Sequence, residues 1–287
     1  MKAVCIHVAL CGLVTAVVSG CDQPKPNCLT AQASFVLKLA EEQNSRQESA
    51  PGACVGFGPA SFNADPHVGI APYYAKDKKG QPDYRKGSIA IRTAELATLV
   101  ANAEEHDVTP IQQVLHSIGQ FVTEEPDGDD FCRAPAFAQP TRVVIPAVSV
   151  PDDPATANAD ESFEQAAVDA TLTWSDVDVY VTPASFGTQV RAKLSDRRVT
   201  PDGRVCTINY TARGLAPAVS CQVTDDDGNP VQKADGTFEV DPTLCNPEAD
   251  PSKDRFTGSG ISPTTNYECD ATIGYCVLAG AAFPALK

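Results

Sequence analysis

Residues Ala170–Val181 read ATLTWSDVDVYV, and Thr188–Leu194 follow as TQVRAKL. In the first stretch Leu172 and Trp174, then Val177, Val179 and Val181, recur every second residue. In the second, Val190, Ala192 and Leu194 do the same. Period two in β-branched and aromatic residues is the mark of a strand with one buried face. Leu172, Trp174, Val179, Val190 and Leu194 are therefore expected in the core. Turn signals recur at Pro201-Asp202-Gly203, Asp227-Gly228-Asn229 and Asp235-Gly236, a spacing that suits a sandwich or barrel. The predicted class is mainly β, with antiparallel sheets in a sandwich- or barrel-like arrangement, one main helix near 94–105, and disulfide staples.

Just beyond lie Cys206–Ala212 and Leu215–Val223, with Arg213-Gly214 between them. Read as a hairpin about that dipeptide, Cys206 falls opposite Cys221. Ile208, Tyr210, Leu215, Val219 and Val223 then share a face, and Thr207, Asn209, Thr211, Arg213, Ser220 and Gln222 share the other. A slip of one residue would scramble the two sets, so this register predicts a Cys206–Cys221 disulfide. Pro217 cannot donate to the ladder, so its strand should be an edge or locally broken.

Toward the N-terminus, Cys28–Leu39 alternates as a strand, and Glu41–Pro51 is polar and expected as loop. Lys76–Lys86 is charged with a turn at Lys79-Gly80, and Ser88–Arg92 is a short strand. Ala94–Glu105 is the best helix. Thr93 stands at its N-cap, Glu95 lies in the first turn, and Leu96, Leu99, Val100 and Ala103 form one stripe. Thr109-Pro110 with Gln112 signals another helical turn or two. Ile118–Thr123 and Thr141–Val150 read as extended, with a turn at Pro126-Asp127-Gly128. Residues 151–162 are rich in Pro, Asp, Ala and Asn, and serve equally as a linker or as a long surface loop. On the linker reading, 28–150 is an α+β part and 163–287 a β part.

The N-terminus carries an address. Lys2 precedes an apolar run from Val8 to Val18, too short to span a bilayer, which takes roughly 20 residues. A basic start, a short apolar core and a small-residue exit form an export signal, residues 1–20. The exit, Val18-Ser19-Gly20-Cys21, resembles the lipobox of bacterial lipoproteins. That resemblance implies cleavage before Cys21, a thioether-linked diacylglycerol on its thiol and a third acyl chain such as palmitate on its amine. Several chains hold permanently where one holds weakly. Residues 21–27 would be the tether.

Without Lys2 the chain has 21 basic and 37 acidic residues, a net of −16 against −15 for the whole. Such a balance disfavours nucleic acid and anionic headgroups and favours a soluble monomer, so the membrane is expected as a partner only through the anchor. Cys5 and Cys11 leave with the signal. Cys28, Cys54, Cys132, Cys206, Cys221, Cys245, Cys269 and Cys276 remain, an even set that suits disulfides in an exported chain. Zinc sites want closer Cys pairs, so neither a metal nor another cofactor is expected.

Enzyme signals are sparse. His67, His106 and His116 are the histidines after the signal, and His67 or His116 would serve an envelope hydrolase. Gly258-Ser259-Gly260 lacks the nucleophile-elbow spacing. Asp225-Asp226-Asp227-Gly228-Asn229 fails the calcium-loop pattern, with Val223 at the first position and Ala234 at the twelfth. A hairpin turn fits it better, although a looser calcium site with Asp235 or Asp241 would make an adhesive module.

Several stretches together are similar to the Mlp-type lipoproteins of the myxobacterial envelope: CDQPKPNC (Cys21–Cys28), SIAIR (Ser88–Arg92), WSDVDVYV (Trp174–Val181), GTQ (Gly187–Gln189), GLAPAVSC (Gly214–Cys221) and GSGISP (Gly258–Pro263). The resemblance implies a lipid-anchored envelope protein, in the outer membrane more than the inner, with no catalytic residues to carry over. Asp22 departs from this, since Asp after the lipidated Cys favours inner-membrane retention in enteric bacteria. The expected role is structural or binding and non-enzymatic.

Overall fold

A computed structural model of the chain describes residues 26–58, 65–151, 162–253 and 255–287. The export signal, Cys21 and most of the 151–162 stretch lie outside these. Among the described residues no helix is long and apolar enough to cross a membrane.

The strand read first organises the sheet. It is β11, Val168–Thr182, and its partner β12 is Ser185–Val199. The two form an antiparallel hairpin with a register shift between Ser175 and Asp178. That shift explains why the apolar positions change phase between Trp174 and Val177 while both stay buried. The other edge of β11 is divided. Its first third pairs with β8 (Thr141–Ile145) and its last half with β7 (Phe131–Ala136). From β12 the sheet continues through β13 (Val205–Leu215), β1 (Ala33–Glu41), β3 (His67–Lys76), β4 (Pro82–Thr93) and β6 (Ser117–Gln120).

At β6 the circuit almost meets β7. Gly119 bridges Phe137, and Ala138 N–H donates to Ile118 O at 2.9 Å. A Cβ on Gly119 would lie 2.8 Å from the Phe137 ring, so only glycine lets that ring cross the seam. The result is a nearly closed antiparallel barrel. Strands from both sides of residues 151–162 share it. Two short strands, β2 (Gln47–Glu48) and β5 (Gln112–Val114), pair with β13 and β8, while β9 (Val148–Val150) and β10 (Phe163–Gln165) form a separate ribbon.

Inside, Phe35, Ile89, Ile91, Leu172, Trp174, Leu194, Ile208 and Tyr210 are fully buried, and all five residues expected in the core are buried. The helix α1, Ala94–Glu105, sends Leu96, Val100 and Ala103 into the same core. Thr93 does occupy its N-cap, but the hydroxyl makes no capping bond and is buried without a partner among the described residues. The helix is fixed instead by Glu95, whose carboxylate takes two 3.0 Å bonds from Arg198 on β12. Arg198 also bonds the buried Asp196 at 2.7 Å. Burial drives the Asp196 pKa up. For Arg198, burial works against the charge, but the two carboxylates outweigh it and raise the pKa.

The chain after Leu215 forms an irregular layer on the barrel's outside. It includes the hairpin β14 (Tyr267–Asp270) and β15 (Tyr275–Leu278) and a small core of Leu215, Cys221, Cys245, Ile261, Cys276, Leu278 and Ala285. Val36 on the outer face of β1 packs against Ile273 and Val277. This is why Phe35, Val36 and Leu37 are all buried where simple alternation would expose one. Polar ties complete the joint. Lys38 pairs with Glu268 at 2.9 Å and Asp270 at 3.0 Å, and Arg213 donates to Leu278 O at 2.7 Å.

All eight expected cysteines are bridged: Cys28–Cys132, Cys54–Cys206, Cys221–Cys269 and Cys245–Cys276, with Cα separations of 4.9 to 6.1 Å. The Cys206–Cys221 staple is therefore incorrect, and so is its hairpin. β13 runs straight through Arg213 and Gly214. Gly214 is there for packing and not for a turn, because a Cβ would stand 2.6 Å from Val190 Cγ2 and 2.8 Å from Leu37 Cδ2. Ile208 and Tyr210 do face the barrel core, but Leu215 and Val219 belong to the outer layer.

The helical turn expected at Thr109-Pro110 is also absent. Ile111 N–H donates to Val144 O at 2.8 Å, and the chain enters β5. Within the expected 41–51 loop, β1 reaches Glu41 and Gln47–Glu48 pairs with β13. The Thr141–Val150 strand is split into β8 and β9 around Pro146.

Candidate functional site

A barrel invites the question of an internal ligand. Here the interior is filled. Among the described residues a hollow between Leu37, Ile70, Ile91, Trp174, Val190 and Ala212 holds about 10 Å³, no more than the space of one water.

A larger concavity lies on the outside, across β1, β3, β4 and β6. The register sets its floor. Ser34 lies opposite Gly69, and Gly69 opposite Arg92. One row along, Ala71 lies opposite Ala90, and Ala90 opposite Ile118. Outward positions on an open sheet face are normally long and polar, whereas here they are Ser, Gly and Ala. The small floor between taller side chains makes a trough of about 640 Å³, lined also by Gln32, Ala33, Tyr73 and His116. Tyr73 and Ile118 supply exposed apolar walls, while Arg92 and His116 are polar and exposed. A second hollow of about 410 Å³ shares Ser34, Gly69 and Arg92 with the first and adds His67 and the helix residues Ala94, Ala97, Thr98 and Ala101.

Both histidines singled out for a hydrolase thus border one continuous surface. His67 Nδ1 is 2.9 Å from Asp65 Oδ1, and its ring meets Tyr275 edge-on at 4.8 Å between centroids. Among the described residues no hydroxyl hydrogen-bonds either histidine, so the structure brings His67 an acid partner but no nucleophile. His106 lies elsewhere, stacked on Phe163 with centroids 4.0 Å apart. Ser259 donates to Cys245 O at 2.9 Å and accepts from Ile261 N–H, a turn-building role. Its neighbour Gly258 sits where a Cβ would run into the Pro247 carbonyl.

The acidic loops are occupied by their own turns. Asp225 accepts from the Asp227 and Asn229 amides at 3.0 and 2.8 Å, with Gly228 at φ +83°. Asp235 and Asp241 hold Thr237 and Thr243 in the same way, and the threonine hydroxyl bonds are the largest reason their pKa values are lowered. Among the described residues, the only place where three ligating atoms lie within 4.8 Å is the sulfurs of Cys221, Cys245 and Cys269, which two disulfides already use.

Sequence reading missed Arg92, Tyr73 and Ile118 as a group, because their proximity comes from cross-strand register. One signal was available: Gly69-x-Ala71 and Ser88-x-Ala90, small residues at alternate positions of two adjoining strands.

Gly187 and Gln189 have structural work. Gly187 is at φ +64°, and a Cβ there would meet the Leu29 carbonyl at 2.6 Å. The fully buried Gln189 donates to Thr265 Oγ1 at 3.2 Å and to Ala285 O at 3.4 Å, and accepts from Ala285 N–H at 3.0 Å. It clamps the C-terminal layer to the barrel.

No curated protein and no solved structure matches the chain. A family model described as MlpA matches residues 51–217, more than half of the chain. The match stops two residues past the end of β13 at Leu215, so it covers most of the barrel and leaves the outer layer aside. The chain belongs to the MlpA family.

Proposed function

We propose that this MlpA-family protein is a lipid-anchored lipoprotein of the bacterial envelope, in the outer membrane, and that its barrel serves as a non-catalytic binding module. The observation that carries the binding role is the contrast between a filled interior and a trough of about 640 Å³ on the outer face. The trough has a floor of small, mostly apolar residues, walls of Tyr73 and Ile118, and Arg92 and His116 among its lining. That composition suits a ligand with an apolar body and an anionic group. Net charge argues against nucleic acid, and no cofactor is required.

Calorimetric titration with dodecanoate tests this, using dodecanol as the uncharged comparison. Saturable binding of the carboxylate, lost in Ala90→Trp and weakened in Arg92→Gln, is the expected result. Equal heats for both probes, or no effect of Ala90→Trp, would remove the trough from the function. Turnover of a p-nitrophenyl ester that disappears in His67→Ala would replace binding with hydrolysis, the reading that the Asp65–His67 pair favours. The anchor is tested separately. Cys21→Ala should move the protein from the membrane pellet to the soluble fraction.

A further inference from the structure

The chain is acidic as a whole, yet residues 76–86, KDKKGQPDYRK, carry five of its 22 Lys and Arg against two acids. The structure places them at the tip of the β3–β4 hairpin. Pairing of β1 with β3 ends at Ala33↔Ile70, and pairing of β6 with β4 ends at Ser88↔Gln120. Phe121 N–H still donates to Gly87 O at 3.0 Å, but past the register shift after Tyr74 the pairs Ala75↔Asp83 and Lys76↔Pro82 belong to these two strands alone. The hairpin therefore reaches past its neighbours as an arm. Its turn is well built: Asp77 Oδ1 accepts from the Lys79 and Gln81 amides at 2.8 Å each, and Gly80 takes φ +78°.

The cations differ in availability. Arg85 and Lys86 lie 2.9 and 3.9 Å from the carboxylate of Asp83. Lys76, Lys78 and Lys79 are exposed and form no ion pair among the described residues. The acidic stretch Glu124–Asp130 belongs to the arm's base, where Glu124 O accepts from Cys28 N–H, and Asp127 there is spent on Arg133 and two backbone amides.

The base of the arm is also where the chain leaves for its N-terminus. Tyr74 OH donates to Cys28 O at 2.8 Å, and Cys28 is pinned by its bridge to Cys132. Seven peptide steps separate Cys28 from Cys21, a reach of about 24 Å when extended. The tip lies roughly 13 Å beyond Tyr74 along the strand, so an anchored body can lay it on the membrane surface without stretching the tether.

We infer that the lysine tip of the β3–β4 hairpin docks on anionic phospholipid headgroups and so fixes how the barrel stands on the membrane. This rests on the lipid-anchored reading. It also narrows the expectation from net charge: repulsion holds for the body as a whole, while the tip of the β3–β4 hairpin carries the opposite sign. Each lysine near an anionic surface should raise affinity roughly fivefold, with the effect screened by salt.

The test uses the mature chain carrying Cys21→Ala, so that acyl chains do not mask the headgroup contribution. It is co-sedimented with vesicles of phosphatidylcholine, with or without phosphatidylglycerol. Binding should appear with phosphatidylglycerol only and vanish at high salt. It should fall at least tenfold in Lys76→Glu/Lys78→Glu/Lys79→Glu, with an unchanged circular dichroism spectrum and melting temperature. Equal binding to both vesicles, wild-type binding by the triple variant, or equally tight binding to soluble polyglutamate would overturn the inference. A wild-type chain that fractionates as soluble in cells would instead defeat the anchor and leave the vesicle result to be read on its own.

Discussion

Replacing Gln189 with Met removes the clamp between barrel and outer layer while keeping length and most of the volume. Three bonds are lost: to Thr265 Oγ1 at 3.2 Å, to Ala285 O at 3.4 Å and from Ala285 N–H at 3.0 Å. Thr265 and Ala285 are buried, so water cannot readily replace the amide. An orphaned buried donor or acceptor costs about 1–3 kcal/mol. The Ala285 N–H bears that cost most fully. The Thr265 hydroxyl can rotate toward another partner, and the 3.4 Å bond is weak from the start. Together they give about 2–4 kcal/mol. For a chain of this size 1 kcal/mol at the midpoint moves the melting temperature by roughly 2–4 °C, so the expected drop is several degrees or more. Urea unfolding gives the free energy, and amide exchange at Ala285 locates the loss. A change under about 1 kcal/mol, or exchange that accelerates throughout the barrel and not first at Ala285, would refute the clamp.

Gly214→Ala forces a methyl against Val190 and Leu37. Overpacking costs about 1–3 kcal/mol, so urea titration should show destabilisation, whereas a stabilised protein would mean the strand has room there. Arg198→Met strands the carboxylates of Asp196 and Glu95 and should cost about 3–5 kcal/mol. A further Asp196→Leu should recover a substantial part of that in the same titration. The pKa of Asp270 is lowered: burial would raise it, but the bonds from Lys38 and the Thr272 amide prevail. The unfolded chain therefore takes up this proton first as pH falls toward the ordinary carboxylate value near 3.8. The stability from this group is present above that value and is lost as pH drops through the folded pKa. Melting temperature should decline below about pH 5, and less steeply in Asp270→Asn.

Period-two patterning made the barrel strands legible because each buries one face: Leu172, Trp174, Val190 and Leu194 lie where alternation puts them. The helix was legible because Leu96, Val100 and Ala103 repeat at its own period. Alternation failed where a second layer covers the sheet. Val36, buried under Ile273 and Val277, breaks the expected pattern. The Cys206 register misled for a related reason. Apolar residues beyond Gly214 continued the right parity while belonging to another core, and a glycine required by side chains from two neighbouring strands looks the same in sequence as one required by a turn. Thr109-Pro110 gave a sound helix-start signal, and the tertiary pairing of Ile111 with Val144 overrode it. The trough was the least legible, since Arg92, Ile118 and Tyr73 meet only through the register of three strands.

The disulfide map has a consequence for how the chain reaches this state. In each half the bridges interlace: Cys28 and Cys54 both wait for partners more than 100 residues downstream, and Cys221 and Cys245 cross in the same manner. A chain emerging N-terminus first exposes Cys28 and Cys54 together, and their quickest mutual bond is a wrong one that must later be exchanged. Eight cysteines allow 105 pairings, but no bridge joins the barrel to the outer layer. Each set of four allows three pairings, so once the barrel has closed on its own cysteines the remaining search is among three arrangements.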